Sequence, residues 1–254
     1  MIARNHLQEL LESLEQLLAL VIMVVVSPML VVLMVLIRLT SPGPAIFKQV
    51  RVGKHGRLFT LYKLRTMYHN CELSSGPRWS CPGDPRVTPL GRFLRATHLD
   101  EIPQLINVLQ GDMALVGPRP ERPEFTTILC EYLPDYTKRL YVKPGITGLA
   151  QIQLPPDTDL YSVQKKLACD LYYVSQRSFG LDLRILLATA LRIVGIPASI
   201  TLRILGLPRW DTVTQKQPPA SSGLCPSERI SIKRANHPVS SVTYLHSKSC
   251  KDNS

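Results

Sequence analysis

Asp100 and Glu101 stand side by side at the head of an apolar helical pattern, and Pro118-Arg119-Pro120 follows within twenty residues. An ionised Asp can attack phosphorus, and an adjacent Glu can hold a hard cation such as Mg2+. An arginine held between two prolines is a rigid anion binder. Together these are equipment for phosphoryl chemistry. Taken alone, an acidic pair at a helix start is more simply a cap.

The elements around the pair follow from periodicity. Leu99, Ile102, Leu105, Ile106 and Leu109 recur at helical spacing. Pro103 is tolerated only in a first turn, so the helix is expected to begin near Asp100, where its dipole would keep the acids ionised. Upstream, residues 45–52 and 57–64 are β-like runs joined by Gly53-Lys-His-Gly56, which predicts a hairpin. Lys63 and Arg65 put two cations at its end, although a solvated basic face is the simpler reading. Arg92 and Arg95 precede the acid pair and could meet phosphate or cap a helix. Residues 71–89 read as a Pro-, Gly- and Ser-rich loop. Lys143-Pro-Gly-Ile-Thr-Gly-Leu-Ala-Gln151 is a turn into an extended segment, its glycines serving close approach to a ligand or backbone geometry alone.

Leu17 to Ile37 carries no charge over 21 residues, enough to span a bilayer. Ser27-Pro28 sits at its centre, so a kink or break is expected there. The carbonyl of Val24 loses its donor, and the Ser27 hydroxyl is one candidate partner. A kinked span and a helix-break-helix hairpin both satisfy the pattern. Arg38, Lys48, Arg51, Lys54 and Arg57 after the segment are a cytoplasmic signature. Glu9, Glu12 and Glu15 before it argue against a signal peptide. Leu181 to Leu207 predicts two short amphipathic helices broken at Gly195-Ile-Pro197, with Arg184, Arg192 and Arg203 within about a 100° arc. These helices either lie at a membrane surface or pack on the domain.

The 254 residues carry a formal charge of +11, which suits a polyanionic partner. The apolar segment favours anionic lipid or a nucleotide diphosphate over nucleic acid, for which no recognition motif is present. The six cysteines form no C-x-x-C pair and read as reduced thiols. The polar, basic stretch 214–254 reads as a disordered tail, dispensable for chemistry. The remaining divisions are 1–13, a membrane helix at 14–38 and a catalytic domain at 39–213.

These motifs, in order and spacing, resemble the bacterial sugar transferase family, the monotopic polyprenyl-phosphate phosphoglycosyl transferases, over roughly residues 14 to 195. The matching stretches are Ser27-Pro28, Ser41-Pro-Gly-Pro44, Lys63-x-Arg65-Thr-Met67, Arg95 before Asp100-Glu101, Pro118-Arg-Pro120, Lys143 to Gln151 and Asp170-Leu-Tyr-Tyr173. The resemblance implies an α+β, mostly helical monotopic membrane protein with a re-entrant N-terminal membrane helix, a small β-hairpin and interfacial amphipathic helices. It implies transfer of a phosphosugar from a UDP-sugar to polyprenyl phosphate, with Asp100 as nucleophile and Glu101 as the Mg2+ ligand. Arg119, with Pro118 and Pro120, would sit by the nucleotide and Arg95 by phosphate, with Lys63 and Arg65 as further substrate contacts. It implies the bacterial inner membrane, with the catalytic domain on the cytoplasmic face, and the minimal form of the family. Ile152 to Asp159 replaces a stretch that carries a cation in other members, which Lys165 or Lys166 would have to supply. His98 stands where Ser is frequent and reads as a first-turn helix residue. A non-catalytic membrane scaffold is the competing function, though it has no need of the acid pair, Arg119 or Arg95.

Overall fold

The structure, a computed structural model, describes residues 2–73, 76, 80, 83–157 and 159–216. The basic tail expected from residue 214 lies outside the described residues beyond Lys216. Up to that point the chain is helical, so the division at 214 falls inside the last helix.

The first helix, α1 (Ile2–Thr40), is uninterrupted at Pro28. The Ser27 hydroxyl donates to the Val24 carbonyl at 2.8 Å, supplying the donor that proline lacks. The expected break between two helices is therefore absent. Packing along both halves also keeps α1 whole. Ala19, Met23 and Val26 lie on the main core with Leu105, Val108 and Met113. Leu30, Leu33, Met34 and Ile37 join Ala45, Leu64 and Leu94 in a second cluster. The outer face keeps Leu17, Val21, Val24, Val25, Val32 and Val35 exposed. The most apolar window of Leu10–Thr40 has a mean hydropathy of 3.2 and is 11 % buried. Such a surface is avoided in water, so the protein is membrane-associated.

Polar contacts fasten α1 at both ends. Glu12 pairs with Lys143 at 2.8 Å, Gln16 donates to the Leu109 carbonyl at 3.4 Å, and Glu15 accepts from the Leu115 N–H. At the other end Arg65 donates to the Ser41 and Pro42 carbonyls and the Ser41 hydroxyl, each at 2.7 Å. Arg65 thus closes the turn after α1.

The predicted hairpin forms from β1 (Ile46–Val52) and β2 (Leu58–Leu64), antiparallel with Val52 opposite Leu58. His55 and Gly56, both at positive φ, turn the connection. A short helix, α2 (Pro89–Ala96), is capped by Thr88, whose side chain accepts from the Gly91 N–H. It leads to a 3-10 helix, Leu99–Gln104, and then to α3 (Leu105–Leu109). Asn107 of α3 is fully buried against the hairpin; it donates to the Thr60 carbonyl at 2.7 Å and accepts from the Tyr62 N–H at 3.2 Å. These bonds extend the edge of β2 and fix where Lys63 emerges.

A second sheet was not anticipated. Strand β3 (Ala114–Val116) pairs in parallel with β4 (Gly145–Thr147). A Cβ on Gly145 would collide with the backbone of Gly117, so this glycine serves close backbone approach. Helices α4 (Pro123–Tyr132) and α5 (Leu160–Gln176) follow, and then α6 (Phe179–Ile193), α7 (Ala198–Ile204) and α8 (Trp210–Lys216). The break between α6 and α7 falls at Gly195, at φ 92, as expected. Leu181, Ile185, Ala188 and Leu202 enter the core, while Leu183, Leu187, Ile200 and Ile204 face outward. The two helices therefore pack on the domain and present apolar side chains as well. The fold is mostly helical α+β.

Arg65→Met should cost about 2–3 kcal/mol of stability, because it orphans acceptors around a buried charged donor. Thermal unfolding in detergent measures this. Full stability with weakened nucleotide binding would instead restore Arg65 as a substrate contact.

Candidate active site

Three elements bring charge to the acid pair. The chain leaves α2 through His98 in the left-handed region, at φ 57, and enters the 3-10 helix carrying Asp100 and Glu101. His98 therefore precedes the helix rather than forming its first turn. The helix is 3-10 because Pro103 denies an α-helical donor within it. Strand β2 delivers Lys63, whose Nζ lies 3.0 Å from Glu101 Oε1. The loop after β3 delivers Arg119, with Nη2 2.6 Å from the same oxygen. Arg95, on α2, donates to the Thr66 hydroxyl at 2.9 Å and the Ser80 hydroxyl at 2.8 Å. Its charge acts on Asp100.

The two acids are driven apart. Burial raises Asp100 above the ordinary carboxylate range, and the charge of Glu101 adds to it, against Lys63, Arg119 and Arg95. The weak dipole of a 3-10 turn does not overcome that burial, contrary to the expectation from the helix start. Burial also pushes Glu101 up, but Arg119 and Lys63 together override it and hold Glu101 well below the ordinary range. One carboxylate is thus basic and the other firmly anionic, a division of labour suited to a nucleophile beside a charge-holding group. Arg119 is half-exposed, so water screens its pair with Glu101.

Pro118, Arg119 and Pro120 lie together around a shallow cleft of only about 10 Å³ bounded by Gly53, Glu121, Leu140 and Val142. Arg65 does not join this group; its partners are the carbonyls after α1. Nor do Lys165 and Lys166 supply the missing cation by their contacts. Lys165 lies over the rings of Tyr161 and Trp210, and Lys166 pairs with Asp157 at 3.0 Å. Ser27 and Pro28 sit in the middle of α1. Sequence reading missed Asn107, Arg51 and Arg139. Arg51 donates to the Pro120 carbonyl at 3.1 Å, and Arg139 to the Arg119 carbonyl at 2.8 Å. Each is a single residue in an unremarkable stretch, so only long-range contact reveals it. Cys71, Cys130 and Cys169 are in the reduced form, as expected.

The acid pair braced by cations thus sits on a membrane-associated, mostly helical α+β domain. The chain belongs to the bacterial sugar transferase family, whose model matches residues 7–195. It is 42 % identical over 163 residues, 64 % of its length, to UDP-N-acetylgalactosamine-undecaprenyl-phosphate N-acetylgalactosaminephosphotransferase of Aeromonas hydrophila, of which the match covers 38 %. It is 42 % identical over 165 residues to UDP-glucose:undecaprenyl-phosphate glucose-1-phosphate transferase of Caulobacter vibrioides, covering 64 % of this chain and 61 % of that one. It is 40 % identical over 168 residues to exopolysaccharide production protein PSS of Rhizobium leguminosarum bv. phaseoli, covering 64 % and 84 %. The chain thus spans less than two thirds of the first two relatives.

Carbon-13 titration of the Asp100 carboxyl should give a midpoint above the ordinary value of about 3.9. Lys63→Met, which deletes a cation favouring the anion, should move it further up; Glu101→Gln, which deletes a neighbouring anion, should move it down. Shifts in the reverse directions would mean that Asp100 does not share the field of this cluster.

Proposed function

We propose that the protein transfers a phosphosugar from a UDP-sugar to a polyprenyl phosphate through a covalent Asp100 intermediate. The observation that carries this is the opposite tuning of two adjacent buried carboxylates, with Lys63 and Arg119 already gathered on one of them. An Asp100 carboxylate oxygen attacks the β-phosphorus of the nucleotide sugar. The bond from that phosphorus to the bridging oxygen breaks, and UMP leaves with the electron pair. An oxygen of the lipid phosphate then attacks the same phosphorus, which forms the lipid diphosphate sugar and returns the Asp100 carboxylate. Arg119, Lys63 and Arg95 neutralise the diphosphate.

Mg2+, when bound, neutralises charge on the diphosphate and the leaving UMP. Among the described residues no group of three His, Cys, Asp or Glu could hold it alone. Glu101, the acid held anionic, would be its protein ligand, and one carboxylate fits a cation of this kind, which takes few protein ligands. Lys63 and Arg119 occupy Glu101 in this structure, so they would turn to the phosphates as the complex binds.

The lipid acceptor is supported by the exposed apolar face of α1. A groove of about 670 Å³ there is lined by Val31, Met34, Val35, Pro44 and Ile46, with Arg38 also in its lining. Within this reading α1 takes a re-entrant course, bending without a break in its helix, which its fastening to one domain at residues 12–16 and again at Ile37 to Pro42 supports. A helix crossing to the far leaflet would strand one of those sets. The cytoplasmic face of the bacterial inner membrane is the location this reading assigns, as the first membrane step of a surface glycan such as exopolysaccharide.

Protein, UDP-sugar and labelled UMP without lipid should show return of label into UDP-sugar, across a panel of sugars. Asp100→Asn should abolish exchange, and Asp100→Glu should lose about 100-fold, since a methylene misplaces the attack. Glu101→Gln should slow exchange and weaken its metal dependence while leaving nucleotide binding largely intact. An active preparation without exchange would reject Asp100 as nucleophile.

Asn5→Cys and Lys54→Cys, each in a cysteine-free background, should be labelled from the same side of the membrane. Labelling of position 5 from the opposite side alone would reject re-entry.

A further inference from the structure

We propose that Arg139, fixed by Asp170, is a positioning residue that sets Arg119 against Glu101. This rests on the reading of Asp100 and Glu101 as the transfer site. Four consecutive carbonyls, from Pro118 to Glu121, are each taken by a donor from elsewhere. Pro118 accepts from the Gly145 N–H at 2.9 Å and Glu121 from the Val52 N–H at 2.9 Å. Pro120 accepts from Arg51, and Arg119 from Nη2 of Arg139 at 2.8 Å. Two of these residues are prolines with fixed φ, so the bound carbonyls leave the Arg119 backbone little freedom. Its side chain then springs from a fixed point within reach of Glu101, which it meets at 2.6 Å.

The rest of the Arg139 guanidinium is held by other buried partners. Nε and Nη2 donate to Asp170 Oδ2 at 3.0 and 2.7 Å, and Nη1 donates to the Tyr136 hydroxyl at 2.8 Å. Arg139, Asp170 and Tyr136 are at most 8 % exposed. Burying an ion pair costs desolvation that apolar packing would avoid, so it is a poor device for stability alone. A rigid fork that spans a carboxylate, a hydroxyl and one loop carbonyl is what arginine offers and lysine does not. Asp170 lies on α5 and Arg139 on the 3-10 turn Tyr136–Tyr141, so the pair ties the loop to elements outside the acid-pair cluster.

The test uses full-length protein in detergent, with UMP release, thermal unfolding and amide hydrogen exchange. R139M should lower UMP release about 100-fold, the cost of a small misplacement. R139K, which restores charge opposite Asp170 without the fork, should recover thermal stability and not the rate. In a background of Arg119→Ala, R139M should change the residual rate by less than about twofold, because the residue it acts through is gone. Hydrogen exchange in R139M should speed at Gly145 and Val52, whose acceptors belong to the loop, with the rest of the β1–β2 ladder unchanged. Additive losses in the double variant, or rescue of the rate by lysine, would overturn the proposal. So would unchanged exchange at Gly145 and Val52. If wild-type protein released no UMP from any UDP-sugar, the transfer reading would fail, and the hydrogen-exchange comparison alone would decide whether Arg139 holds the loop.

Discussion

Burying two adjacent carboxylates is the constraint on which this structure turns. Asp100 is 7 % exposed and Glu101 hardly more accessible at its side chain. Removed from water without partners, such a pair would be protonated or would unfold its surroundings. The fold meets that demand on one side only. Lys63 and Arg119 converge on Glu101, while Asp100 feels their charge and that of Arg95 less than it feels burial, and its affinity for protons is raised. The asymmetry gives a basic oxygen beside a fixed anion, which is how a single chemical type can fill two roles.

Much of the scaffold reads as support for those cations. Asn107 docks β2 onto α3 and so sets Lys63. Close contact between Gly145 and Gly117 lets β4 run beside β3, whose end launches Pro118. The Tyr173 hydroxyl, from α5, donates to Asp182 at 2.7 Å and lies 3.1 Å from the Val116 carbonyl, two residues before Pro118. The outer cation is the one held most elaborately, since Arg119 comes from a loop and has no ladder of its own.

The same domain also has to meet lipid. α1 gives its inner face to both core clusters and leaves its outer face apolar and bare. Because β2 carries Leu64 against Ile37 and Leu33, the lysine next to it lies close to the base of the membrane helix. Under the proposed function, this is what would let a phosphate at a bilayer surface and a soluble nucleotide diphosphate meet at one cluster. This is a consequence of packing: Leu64, the residue next to Lys63, is part of the helix's own core.

Local chemistry made much of this protein legible in its sequence. Alternation and turn residues specify the β1–β2 hairpin. Gly195 and Pro197 specify the boundary between α6 and α7. Ser27 beside Pro28 specifies how the orphaned Val24 carbonyl is satisfied. In each case the cause lies within a few residues of the effect. The family, too, is readable, because its motifs are short and ordered. Tertiary structure decided the rest. Lys63 and Arg65 are two residues apart and carry the same charge, yet one faces Glu101 and the other the end of α1. The helix start promised ionised acids, but burial reversed that for Asp100. The β3–β4 pair and the Arg139–Asp170 bridge join segments about thirty residues apart, visible only once distant backbones meet. A sequence shows which groups can act, while desolvation and long-range hydrogen bonding decide which of them do, because both depend on what the rest of the chain places around them.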